Sequence, residues 1–93
     1  MNKKKLQIAR NKIDQLDKKI LFLIKKRTAV VKYMLSLKGF KKQIIDHKRI
    51  KEILKKIKKQ SIKNRIDPKI TSRIWKSMIW SYVDFQKRNF KKK

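Results

Sequence analysis

The sequence predicts an all-α protein of three helices, the first of them very long, in an intertwined homodimer. Three observations carry that prediction. Apolar residues recur every three or four positions in three blocks, and no segment alternates in the manner of a strand. The chain holds one Gly and one Pro, so it has few natural breaks. The first block runs from residue 6 to residue 38 without either, which is about 50 Å of helix at ~1.5 Å per residue. A compact chain of 93 residues is only about 25–30 Å across. A helix that overhangs its own domain needs cover, and a second copy is the simplest cover.

In helix 1, Leu16, Ile20, Leu23, Ile24, Val30, Val31, Met34 and Leu37 form one apolar stripe. Arg27 and Lys38 sit on or beside it, eleven residues apart, and at about 100° per residue they point nearly the same way. GFKKQII (39–45) is the first break, with Gly39 as the helix stop. Helix 2 begins near Asp46, whose side chain suits the free amides of a first turn. Ile50, Ile53, Leu54 and Ile57 are its stripe, and it fades near Lys63. RIDPKI (65–70) then opens helix 3, with Asp67 as N-cap and Pro68 at the first helical position. Helix 3 runs to about Phe90 on Ile70, Ile74, Trp75, Met78, Ile79, Tyr82 and Val83. One domain spans 1–93, with basic ends at 1–5 and 91–93 expected to be disordered.

Composition narrows the chemistry. There is no Cys, so disulfides and thiolate metal sites are excluded. One His (His47), one Glu (Glu52) and five Asp leave nucleophile–base arrangements almost nothing to draw on. No carboxylates pair with His47 at ligand spacing, so no metal is expected, and His47 reads as a solvated start of helix 2. One Gly rules out a glycine-rich phosphate loop, and no cofactor is expected. No apolar run exceeds five residues (20–24), far below the ~20 that span a bilayer, and the basic start lacks a signal-type apolar block. No membrane association is expected, and the default compartment is the cytoplasm. An enzyme of this composition works with placed cations and hydrogen-bond donors rather than with proton transfer.

The net charge of +25 invites a nucleic-acid reading. Yet Lys outnumbers Arg 25 to 6 and is spread along the whole chain, which a general drift towards Lys and Ile also produces. Arg, the better reader of phosphates and bases, is not enriched. Attraction to polyanions at low salt is therefore expected to be non-specific.

ARNKIDQLDKKILFLIKKR (9–27) resembles the first helix of the all-helical chorismate mutase family: an Arg, an Ile-Asp, a Leu-Asp, an aliphatic run, then a second Arg. The likeness continues to Lys38, through DHKRIKEIL (46–54), and ends at DPKITSRIWKSMIWSYVDFQ (67–86). It implies a homodimer with two shared active sites and a small dicarboxylate substrate, chorismate or a close relative, undergoing a pericyclic reaction. By position, Arg10 would reach the partner's site, and Arg27 and Arg49 would hold carboxylates. Lys38 and Gln86 would both donate to the ether oxygen that gains charge as its C–O bond breaks. That accounts for cations aimed along an apolar stripe, because a buried dianion left unpaired is very costly.

Two positions depart from the mutase pattern. Ile50 stands where a Glu usually accepts from the ring hydroxyl, and Tyr82 stands where a Ser is common. In both, the chain is closer to the isochorismate pyruvate-lyase branch of the same fold. Asp46 matches the mutase pattern, lies one turn before Ile50 on the same face, and could supply the missing acceptor. The mutase reading, which implies a role in phenylalanine and tyrosine synthesis, is preferred, with the lyase as alternative. A basic helical module that binds nucleic acid is the second alternative. The same residues also fit plainer roles: Arg27 snorkelling or pairing with Asp14 or Asp17 of a partner helix, Arg10 pairing with Asp14, Lys38 and Gln86 solvated near helix ends. Trp75, Ile79 and Tyr82 read as core rather than as a stacking platform.

Overall fold

A computed structural model describes residues 2–91. Three α-helices account for nearly all of them: α1 (Lys3–Ser36), α2 (His47–Lys63) and α3 (Pro68–Asn89), with a short 3-10 helix (Lys41–Ile44) between α1 and α2. Among the described residues there is no strand. The chain divides into two compact units, residues up to Tyr33 and residues from Met34 onward.

The first unit is a single rod. It starts earlier than residue 6 because Asn2 Oδ1 accepts the Lys5 amide at 3.0 Å, closing the first turn. Lys3 to Lys5, expected to be disordered, are therefore helical; residues 1, 92 and 93 of the expected basic ends lie outside the described residues. Along this rod Leu16, Ile20, Leu23 and Ile24 are 51%, 53%, 60% and 40% exposed. Burying one such side chain is worth about 1.5–3 kcal/mol, so this stripe is unspent stabilisation.

The second unit holds the end of α1, the 3-10 helix, α2 and α3, with α3 packed on both α2 and the 3-10 helix. Ile44, Ile79 and Val83 are its buried apolar residues. Trp75, Met78 and Tyr82 are half-buried, as are Ile50, Ile53, Leu54 and Ile57 of α2. Ile70 and Ile74, which share the expected stripe of α3, are exposed. Near the α2–α3 turn a hydroxyl pair joins the helices: Ser61 Oγ and Thr71 Oγ1 are 2.7 Å apart, and Ser61 also donates to the Ile57 carbonyl.

Caps decide the element boundaries. Asp46 Oδ1 accepts the Arg49 amide at 3.0 Å, and Asp67 Oδ1 accepts the Lys69 amide at 2.9 Å. α2 ends at Asn64, after which Arg65 takes φ 58, in the left-handed region. The Ile66 amide reaches back to the Ser61 carbonyl and the Arg65 amide to that of Ile62, the double bond of a Schellman ending. Glycine usually occupies that left-handed position; here Arg bears the strain.

The end of α1 differs from expectation. Gly39 is not the stop: its φ is not positive, and the helix ends at Ser36. The Leu37 and Lys38 amides tighten onto Met34 and Leu35, three residues back. The next two amides, of Gly39 and Phe40, both donate to Gln43 Oε1, at 2.8 and 2.9 Å.

Candidate active site

Lys38 leaves the last tight turn of α1 half-buried, and Gln86 lies in the final turns of α3, 8% exposed. Between them, Lys38 Nζ donates to Gln86 Oε1 at 2.8 Å. These two residues are 48 positions apart in the chain, so their meeting is a product of the fold. Burial pushes the Lys38 ammonium below its ordinary pKa of 10.5, because desolvation disfavours the charge, and the nearby Asp46 carboxylate partly opposes that.

The pair has a defined polarity. A carboxamide oxygen occupied by an ammonium leaves its NH2 to serve another acceptor, and Gln86 Nε2 donates to the Tyr82 carbonyl at 3.3 Å. That bond is long and readily exchanged for a better acceptor. An ammonium has three donors, only one of which Gln86 Oε1 requires. The cluster therefore holds two sets of hydrogen-bond donors, on Lys38 and on Gln86, in partly desolvated surroundings that strengthen their bonds.

The remaining candidates stand as follows. Asp46 is exposed, with Oδ1 committed to capping α2. Ile50 and Tyr82 are half-buried, on α2 and α3. Arg49 is exposed and meets Glu52 at a loose 3.9 Å. Arg10 is exposed on α1, and among the described residues neither it nor Asp14 enters an ion pair. Arg27 is half-buried on the same helix, with Nη1 withdrawn from solvent. His47 is an exposed first residue of α2. Sequence reasoning missed Gln43; its signal was a Gln three residues after Phe40, the spacing at which a side chain reaches back to a first-turn amide.

Elsewhere, a cleft of about 340 Å³ between α2 and α3 is lined by Lys58, Pro68, Lys69, Ser72, Arg73 and Lys76, none of them a candidate above. Among the described residues no three of His, Cys, Asp and Glu gather as a metal site requires. Among the described residues no helix is long and apolar enough to cross a membrane.

The fold defines an all-helical protein in which a half-buried ammonium meets a buried carboxamide. The particular family follows from comparison: residues 9–87 match the family model described as chorismate mutase type II, and the chain belongs to that family. Membership puts it among enzymes of the chorismate mutase type, with a small-molecule substrate. No curated protein and no solved structure matches it.

Proposed function

We propose that the protein is a chorismate mutase, converting chorismate to prephenate in the cytoplasm as a homodimer with two shared sites. The observation that carries this reading is the Lys38–Gln86 contact. The reaction is unimolecular: one C–O bond breaks, one C–C bond forms, and no proton leaves or enters. Its demand on a protein is to hold the substrate folded and to stabilise negative charge growing on the ether oxygen. Lys38 Nζ and Gln86 Nε2 are the donors for that oxygen. Because the charge is larger in the transition state than in the ground state, their hydrogen bonds accelerate the step rather than merely tighten binding.

The carboxylates fall to arginines, whose planar fork matches two oxygens at once. Arg27 and Arg49 serve the site of their own chain, and Arg10 that of the partner. The exposed stripe at Leu16, Ile20, Leu23 and Ile24 supports the second copy, as does a helix of 34 residues, about 51 Å long. Asp46, through Oδ2, accepts the ring hydroxyl that Ile50 has no atom to bind.

Ile50 and Tyr82 favour a second reading, isochorismate pyruvate-lyase, in which an aliphatic residue follows the helix-2 arginine. One assay separates the two: chorismate and isochorismate are supplied in turn, with detection of prephenate and of salicylate plus pyruvate. Prephenate from chorismate supports the mutase, and salicylate with pyruvate the lyase. Turnover of neither defeats the enzyme reading.

A further inference from the structure

We propose that Gln43 is a positioning residue for Lys38, bracing the turn that delivers the ammonium to Gln86. The proposal rests on the mutase reading of Lys38. After Ser36 the chain leaves α1 with no helix ahead to satisfy its amides, and its apolar side chains do not anchor it: Leu37 and Phe40 are each 64% exposed. Gly39 adds no side chain at all. What holds the turn is polar. The Lys38 amide bonds back to Leu35, and the following two amides, of Gly39 and Phe40, converge on Gln43 Oε1.

Gln43 is itself well seated. Its own amide donates to the Phe40 carbonyl at 3.0 Å, and the neighbouring Ile44 is 4% exposed on the 3-10 helix that packs against α3. The connections therefore close a ring: α3 holds the 3-10 helix, Gln43 ties that helix to the Lys38 turn, and Lys38 returns to Gln86 on α3. Cutting the ring at Gln43 leaves Lys38 on a long flexible stem whose backbone can swing. A displacement of about 1 Å at a reacting centre can cost about a hundredfold in rate. Gln43 is exposed, so replacing it disturbs no core.

The test compares wild type, Gln43→Ala and Gln43→Glu in kcat, KM, thermal melting and amide hydrogen exchange at Gly39 and Phe40. Only an acceptor oxygen is needed, so Gln43→Glu keeps the brace while Gln43→Ala removes it. The expected result for Gln43→Ala is faster exchange at both amides and kcat lower by about ten- to a hundredfold, with KM within about threefold and melting little changed. Gln43→Glu is expected to restore both slow exchange and kcat. Wild-type kcat in Gln43→Ala would overturn the proposal whether or not exchange speeds up, and so would failure of Gln43→Glu to restore kcat. A wild-type protein inactive on chorismate and isochorismate would remove the mutase reading and this proposal together, a result distinct from an active wild type indifferent to Gln43.

Discussion

Lys38→Met removes one ammonium and keeps most of the side chain's length. In the folded chain its first consequence is on Gln86, whose Oε1 loses the donor at 2.8 Å while the residue stays 8% exposed. A buried acceptor left short of a partner costs about 1–3 kcal/mol. The opposing effect is that the ammonium is itself held in desolvating surroundings, which its lowered pKa records, and Met relieves that cost. The two offset, so the folded state is expected to change by no more than about 1 kcal/mol, a melting shift of about 4–8 °C for a domain of this size. Catalysis has no such offset. One lost donor to a developing oxyanion is worth about 10²–10³ in kcat, or about 2.7–4 kcal/mol. The assay is disappearance of chorismate and appearance of prephenate, run beside a thermal melt on the same preparation. A Lys38→Met protein with kcat within about threefold of wild type would refute the assignment of Lys38 to the ether oxygen. A melting loss well beyond the stated shift, with activity falling only in proportion to unfolding, would make Lys38 a structural residue instead.

On the proposed assignment Lys38 acts as the ammonium, and burial lowers its pKa, so kcat/KM is expected to fall with rising pH from below the ordinary 10.5. Asp46→Asn, which keeps a capping oxygen but removes the opposing charge, should move that limb to still lower pH; a limb unchanged in Asp46→Asn would contradict the electrostatic account. The same shift acts on stability with the opposite sense. The protonated group disfavours folding below its folded pKa, and that penalty fades as pH rises from there to 10.5. Arg65→Gly relieves a left-handed backbone and is expected to stabilise the chain by about 0.5–1 kcal/mol in denaturant melts, with no change in activity. Leu23→Asp puts a charge on the exposed stripe of α1 and should yield monomer by sedimentation, with activity lost alongside the dimer. Arg27→Lys keeps the charge but not the fork, and is expected to lower kcat/KM about tenfold or more with an unchanged melt, since a hydrogen bond to a charged group is worth about 1.5–3 kcal/mol.

Local chemistry made part of this molecule legible before any coordinates. Asp46 and Asp67–Pro68 announce helix starts because a cap acts on amides two or three residues away, and both caps form. The α3 stripe was legible at Ile79 and Val83 but not at its beginning, where Ile70 and Ile74 keep the helical period yet remain exposed. Periodicity reports which face is apolar, not whether anything covers it. The end of α1 was misread for a related reason. Gly39 is the usual stop signal, but the turn is made by tightened bonds at Leu37 and Lys38 and by a side chain four residues ahead of Gly39. Arg65 in a left-handed position was invisible because its residue type argues against it. Of the candidate site, the family resemblance set Lys38 and Gln86 on one substrate oxygen, whereas their direct hydrogen bond was not legible, since no local rule links residues 48 apart.

The charge of +25 and the proposed site answer to different causes, and the two kinds of cation separate them. Only 6 of the 31 cations are Arg, so Lys supplies most of the positive charge throughout the chain. The three positions proposed to meet carboxylates, Arg10, Arg27 and Arg49, are nonetheless all Arg, while the position proposed to meet a single ether oxygen is Lys. That division follows the chemistry of the acceptors. A carboxylate presents two coplanar oxygens and rewards a planar fork; one oxygen gaining charge rewards a compact ammonium with donors to spare. A polyanion held by general attraction rewards neither, since any cation near a phosphate releases a counterion equally well. The cleft at Lys58, Lys69, Arg73 and Lys76 holds one Arg among three Lys, beside Pro68 and Ser72. On the proposed assignment the four cations that meet substrate differ in type as their acceptors do, a pattern that the other twenty-seven do not require.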